Sequence, residues 1–368
     1  MVRTLGQGGT ERQVAELAKA LDGASFTPHV ACFVGGGHRF EELRERGVPL
    51  VEIPLRSFVR PSVITATRRL RRYLRENGIQ IVHTFDFPAN IFGVPAARAS
   101  GTPVVLASQR GYRSVYPPRY RRLLRLSDWL AHGIVVNCEA MRRHLIEDCS
   151  VPAGKIHLCY NGIDLGVFGP GPRERPPQLE EARLVIGAVS ALRPEKGIHI
   201  LVEAFAQAVK ARPGIRLLIA GDGSERERLE ARAVELGIRG EVVFEPSTSE
   251  VARWLHAIDV FVLPSLSEAF SNSLMEAMAC GCAVVASRVG GNPELVQEGE
   301  TGLLFERANA GELAQRLLTL IDDQALRNRL ASNAAGGMER YSSAASAERM
   351  QGIYESFLRK QGPRPLSE

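Results

Sequence analysis

Short apolar runs alternate with longer amphipathic stretches along nearly the whole chain. In the first half the runs at 28–34, 50–53, 79–83, 103–107 and 133–136 have the length and β-branched content of strands. Between them, 10–22, 39–46, 61–77, 88–100, 117–130 and 138–148 repeat apolar positions at helical spacing. Strands separated by helices of this length predict a parallel sheet covered on both faces. The stretch "NGIDLGVFGPGPRERPPQLEEA" (161–182) is too rich in Gly and Pro for an element interior and reads as a hinge or linker. The alternation then restarts, with strands at 183–189, 215–220, 241–244, 259–263 and 283–286. The intervening helices are 197–211, 224–236, 249–256 and 272–281. The closing "SAASAERMQGIYESFLRK" places Met350, Ile353, Tyr354, Phe357 and Leu358 on one helical stripe, which predicts packing back onto the first domain.

The opening is irregular. A parallel α/β domain usually begins with a five- or six-residue apolar strand, whereas here "MVRT" runs straight into "LGQGG". The first strand reads as clipped, with an expectation that the true start lies upstream.

Composition adds bounds. A length of 368 residues suits two domains. The longest apolar runs ("PVVLAS", "VFVLP", "CAVVAS") are strand-sized, far short of a membrane span, and no charged-then-apolar leader opens the chain. A cytoplasmic protein is expected. The six cysteines show no metal-type pairing, and Cys280 and Cys282 read as small buried residues. Charge is uneven: residues 1–170 hold 23 Lys and Arg against 14 Asp and Glu, and the remainder holds 23 against 27. The excess concentrates in "RRLRRYLR" (68–75) and "RYRRLLRL" (119–126). No nucleic-acid recognition module accompanies them, so nucleic acid is not expected as a partner. Arg mixed with Leu and Tyr on a helix suits an anionic membrane surface or an acidic substrate, against the plainer reading of a solvated basic face.

Candidate chemistry lies where strands turn into helices. In "LGQGGTER", Gly8 and Gly9 allow close backbone approach at a helix start, where N–H groups face an anion. The spacing is not that of a dinucleotide fingerprint. "SALRPEKG" puts Arg193 and Lys196 just past the first strand of the second domain, where they can neutralise a diphosphate as a fork and a point charge. "IAGDGSER" supplies a second glycine turn with Gly221 and Asp222. In "SEAFSNSLMEAM", Ser271, Asn272, Ser273 and Leu274 open a helix with free N–H groups suited to phosphate, between Glu268 and Glu276. A carboxylate accepts paired hydrogen bonds from vicinal hydroxyls, so two of them flanking a phosphate site imply a nucleotide sugar. His83 and Asp86 in "IVHTFD" close a strand of the first domain and are further candidates for contact with acceptor or sugar.

With these residues in place, the sequence resembles the family 4 retaining glycosyltransferases of GT-B fold across nearly its whole length. The glycine pair, "NGID", "RPEKG", "GDGSER" and the E-x7-E of Glu268 and Glu276 carry the likeness, and "VGGNPELV" (289–296) matches a family loop near the donor. The resemblance implies two Rossmann-like doubly wound domains facing a cleft: an acceptor domain (1–165), a linker (166–182), a donor domain (183–345) and a crossover helix (346–368). It implies transfer of a sugar from a nucleotide sugar, UDP-linked first and GDP-mannose second, to a hydroxyl of a glycan or lipid-linked acceptor in envelope polysaccharide synthesis. Arg193 and Lys196 would hold the diphosphate, Glu268 the sugar and Glu276 the ribose. Arg110 and Asn161 join the candidate contacts. No Asp-x-Asp occurs, so no divalent metal or other cofactor is expected, and Arg193, Lys196 and helix amides would do that work.

Two departures stand out. "LASQRGYR" places Gln109 or Arg110 where the family often has a histidine, and Glu245-Pro246 replaces a glycine. A nucleotide-sugar-binding protein without transferase activity, or an epimerase on the same scaffold, are the alternatives. Donor bound without turnover would mark the first, and donor converted without acceptor the second.

Overall fold

The computed structural model describes residues 1–6, 8–21, 25–55, 57–58, 61–248 and 250–361. Gln7 of the glycine loop, Ser249 at the start of the expected 249–256 helix and the 362–368 end of the expected crossover helix lie outside them. The chain divides into two compact units: Met1–Gly162 with the chain from Tyr341 on, and Ile163–Arg340.

The first unit runs α1 (Gly9–Leu21), β1 (Val30–Cys32), α2 (His38–Glu45), β2 (Leu50–Glu52), α3 (Ser62–Glu76) and β3 (Ile81–Thr84). It continues with α4 (Phe87–Ala99), β4 (Val104–Gln109), α5 (Pro118–Leu130), β5 (Gly133–Val136), α6 (Glu139–Glu147) and β6 (Ile156–Leu158). Strands β3, β4, β5 and β6 form one parallel sheet in that order, with Ile81 opposite Val104 and Leu106 opposite Gly133. β1 and β2 pair in parallel beside it. Every residue of β4 ("VVLASQ") is buried, as expected for a central parallel strand with both faces covered.

Residues 1–3 join the two sheets. Val2 donates to Ala31 (3.0 Å) and Phe33 donates to Arg3 (3.0 Å) on one side. On the other, the Met1 nitrogen donates to the His83 carbonyl (2.6 Å) and Phe85 donates to the Met1 carbonyl (2.9 Å), the pattern of parallel neighbours. The segment that reads as a clipped strand therefore lies inside the sheet, between β1 and β3.

The second unit comprises β7 (Leu184–Val189), α7 (Ile198–Ala211), β8 (Ile215–Ala220), α8 (Arg226–Glu235), β9 (Val242–Glu245), α9 (Val251–His256) and β10 (Val260–Leu263). Then follow α10 (Asn272–Ala279), β11 (Ala283–Ser287), α11 (Asn292–Leu295), β12 (Leu303–Phe305), α12 (Ala310–Asp322) and α13 (Gln324–Gly336). Its sheet is wholly parallel, in the order β12-β11-β10-β7-β8-β9. One core gathers alternate strand residues such as Ile186, Leu217, Val262, Val285 and Phe305 with Phe205 of α7 and Leu317 of α12.

The Gly/Pro stretch expected as a linker is fastened to this second unit. Arg173 and Arg175 each bind Asp259 (2.6 Å), and His256 Nε2 bonds the Gly169 carbonyl (2.8 Å). The last helix, α14 (Ser343–Gln361), lies in the first unit, where Met350, Tyr354 and Phe357 share a core with Leu21, Leu106 and Val135. Among the described residues, no helix is long and apolar enough to cross a membrane.

Candidate active site at the switch point of the second sheet

In a doubly wound sheet, ligands bind beyond the carboxyl ends of the strands where the winding reverses, because there the connecting loops part in opposite directions. In the second unit that point lies between β7 and β10. The loop from β7 carries Arg193 and Lys196. The loop from β10 carries Glu268 and ends at the Ser271 cap of α10. Two glycines let these loops close on one another. Gly197 is left-handed (φ 62°), and a Cβ there would fall 2.3 Å from the Pro264 carbonyl oxygen. Gly290, also left-handed (φ 53°), brings the β11 loop so near that a Cβ would fall 1.8 Å from the Glu268 carbonyl oxygen.

Lys196 Nζ pairs with Glu268 Oε2 at 2.8 Å, and Ser265 Oγ donates to the same oxygen at 3.0 Å. Both charged side chains are largely buried, 17% and 13% exposed. Arg193 is 59% exposed and pairs with Glu195 (3.0 Å). The expected pair of open phosphate cations thus consists of one lysine already engaged by a carboxylate and one solvent-facing arginine beside a second carboxylate.

Ser271 caps α10 by accepting from the Leu274 amide (3.3 Å), and its hydroxyl lies 3.2 Å from that of Ser273. The Leu274 N–H, read from sequence as open, is therefore used within the helix. Asn272 is the first residue of α10, and Glu276 lies one turn further along, buried at 4% exposure. Gly221 and Asp222 follow β8. Gly221 donates to the Glu245 carbonyl (3.0 Å), and Asp222 accepts from the Ser247 amide (2.8 Å), the bond that chiefly lowers its pKa. Asp222 thereby holds the loop in which Glu245-Pro246 replaces the family glycine.

Sequence reasoning did not single out Ser265 or Ser287. Ser287 Oγ donates to the Ser265 carbonyl (2.6 Å), and Asn292 Nδ2 donates to the Ser287 carbonyl (3.0 Å), tying the ends of β10 and β11 together. Their signal was small: each serine terminates an apolar strand run.

Comparison with known proteins shows the family and the fold. The family described as "Glycosyltransferase Family 4" matches residues 7–167, and "Glycosyl transferases group 1" matches residues 172–336. The D-inositol 3-phosphate glycosyltransferase of Arthrobacter sp. (strain FB24) is 30% identical over 74% of this chain and 70% of its own length. The chain belongs to the group 1 glycosyltransferases of family 4. The enzyme of the same name from Segniliparus rotundus is 29% identical over 73% of this chain, and the match spans 62% of that relative's length. For the relative from Corynebacterium efficiens, 32% identical over 61% of this chain, the match spans 56%. Among solved structures, Anabaena HepE in complex with UDP superposes with a TM-score of 0.83 at 22% identity, over 96% of this chain and 98% of that one. The chain has the GT-B fold of this neighbour, with two Rossmann-like units.

In the first unit of the chain, the sequence candidates have varied surroundings. The Gly8 carbonyl accepts the Arg12 amide (3.0 Å), and Gly9 opens α1. A Cβ on Gly8 would fall 2.2 Å from Glu11 Oε2, and Thr4 Oγ1 donates to Glu11 Oε1 (2.9 Å). The helix start expected to face an anion therefore has the chain's own carboxylate beside it.

His83, expected as a substrate contact, is buried with both ring nitrogens engaged: Nδ1 with the Tyr354 hydroxyl (2.9 Å) and Nε2 with Ser108 Oγ (2.8 Å). Burial, then the Met1 amine and Arg110, holds its pKa well below the usual value. It braces the sheet and offers no free nitrogen. Asp86 caps α4, accepting from Ala89 (2.8 Å), and also accepts from Arg3 (2.7 Å); burial raises its pKa despite these bonds. Both of its oxygens thus hold backbone amides.

Gln109 is likewise internal, accepting from Arg113 Nε (3.1 Å). Arg110 differs. It donates to Asn161 Oδ1 (2.7 Å) and lies over the Phe85 ring, and its Nε is buried without a partner. Burial lowers its pKa to about 10. Gln13 fixes the neighbouring "NGID" turn by exchanging two bonds with Gly162 (2.7 and 2.8 Å). Among the described residues, no group of three His, Cys, Asp or Glu is placed to hold a metal.

Proposed function

We propose that this glycosyltransferase moves a hexosyl group from a nucleotide sugar to an acceptor hydroxyl with retention of configuration, using the β7–β10 switch point as its donor site. The carrying observation is the buried Lys196–Glu268 pair, which sets a cation and a hydroxyl-accepting carboxylate side by side next to the Ser271 cap. On this reading Lys196 turns its remaining N–H bonds, with Arg193 and the start of α10, to the diphosphate. Glu268 accepts from hydroxyls of the transferred sugar, and Glu276 from those of the ribose.

The bond from the anomeric carbon to the phosphate oxygen breaks as the acceptor oxygen bonds to that carbon. The acceptor proton passes to the departing phosphate. Charge building on the leaving group is stabilised by Lys196 and Arg193, so no divalent metal is required. A UDP-sugar is the first expectation, since the structurally similar HepE has been solved with UDP-glucose, and GDP-mannose is the second.

For the acceptor, a glycan or lipid-linked hydroxyl is one reading. A second, a phosphorylated polyol, is favoured by Arg110, a guanidinium with no carboxylate partner among the described residues, and by relatives named for inositol 3-phosphate.

Thermal-shift screening against nucleotide sugars tests the donor. One of them should raise Tm by mass action, and that donor should yield product of retained configuration only when an acceptor is added. Stabilisation without turnover would leave a binding protein, and conversion without acceptor an epimerase.

A further inference from the structure

Helix α5 carries a surface that transfer chemistry does not use. Its outward side shows Leu123, Leu126 and Trp129 at 39%, 49% and 76% exposure, three exposed large apolar side chains on one short helix. Arg119, Arg121, Arg122 and Arg125 are exposed among them. The one acidic residue of the helix, Asp128, is turned inward and bound by both terminal nitrogens of Arg113 (2.5 and 2.8 Å). The exposed side is therefore cationic and apolar with no anionic group. Beside it, Tyr112, Arg121, Arg125, His144 and Asp148 line a hollow of about 240 Å³, in which the Asp148 carboxylate pairs with His144 Nδ1 (2.7 Å).

The ordinary explanation fails. A solvated basic face has no use for a tryptophan and two leucines in water, because each would be better buried. α3 makes the contrast: its arginines are also exposed, yet Ile64 is its one large apolar side chain on the exposed side.

We infer that α5 is a docking surface for an anionic lipid bilayer. Leu123, Leu126 and Trp129 would enter the interface between head groups and chains, with the exposed arginines on lipid phosphates. Interleaved Trp, Leu and Arg on one exposed helix side match an interfacial anchor. This inference stands apart from the transferase reading, because vesicle binding is read without donor or acceptor.

The test is sedimentation of the full chain with vesicles of phosphatidylcholine alone or mixed with phosphatidylglycerol, at low and high salt. Binding is expected only to the anionic vesicles and weakens with salt. Leu126→Ser/Trp129→Ser should bind at least ~10-fold more weakly with its melting temperature unchanged. Arg121→Gln/Arg125→Gln should lose about fivefold per arginine at low salt. Wild-type protein that stays in the supernatant with anionic vesicles would overturn the inference, as would a Leu126→Ser/Trp129→Ser variant that binds normally. So would concentration-dependent self-association abolished by the same substitutions, which would assign the face to a second copy of the chain.

Discussion

Glu268 and Lys196 lie 72 residues apart, yet they share a hydrogen bond of 2.8 Å. Each was legible as a candidate from its local motif, because a carboxylate before a capped helix and a basic pair after a strand are local patterns. Their pairing was not legible, since it depends on two loops meeting over a sheet. The same applies to His83: its strand-end position showed in the sequence, while its partner Tyr354 comes from the last helix. At this scale the sharpest prediction concerns Gly290. An alanine there needs a left-handed backbone and room already taken by the Glu268 carbonyl oxygen. Gly290→Ala should cost about 1–3 kcal/mol from backbone strain alone, with displacement of the Glu268 loop adding to it. Denaturant unfolding should show the loss, and the Tm response to donor should shrink. Unchanged stability together with an unchanged donor response would show that the loops are not locked as described.

The alternation of strands and helices was readable wherever apolar runs reached four residues or more. It was not readable for β6 and β12, three-residue strands that, unlike β1 and β2, were not singled out as part of an apolar run. Residues 1–3 read only as a clipped strand, since their strand character comes from backbone bonds to two neighbours. Helix α5 was legible as basic and apolar, but which residues face outward depends on the Arg113–Asp128 pair that turns its acid inward. Both partners are buried, with side-chain exposures of 4% and 12%. Asp128→Asn leaves the Arg113 charge without its counter-ion and should cost about 3–5 kcal/mol. Replacing both partners together, Arg113→Met with Asp128→Leu, should cost less than the single change, because no buried charge is then left unpaired. Equal costs for the single and double variants in denaturant unfolding would mean the pair does not hold the helix.

Over the whole molecule, two doubly wound units and a returning helix followed from the pattern of elements, and the GT-B resemblance rested on motif order. The Gly/Pro stretch after residue 162 was harder to read. Its composition suggests a free linker, but Arg173 and Arg175 clasp Asp259, which a composition argument cannot foresee. Charge asymmetry was countable, and its concentration on exposed helices gives it a surface to act on.

The central claim is that the switch point of the second sheet is the donor site, and calorimetric titration tests it most directly. The ligands are the nucleotide diphosphate and the intact nucleotide sugar, measured against the wild type, Lys196→Gln, Glu268→Gln and Glu276→Gln. Lys196→Gln and Glu276→Gln should each weaken the nucleotide diphosphate by about tenfold or more, roughly 1.4 kcal/mol. Glu268→Gln should bind the diphosphate nearly as the wild type does, while losing affinity for the intact donor and losing transfer. Wild-type affinities in all three folded variants would place the donor elsewhere.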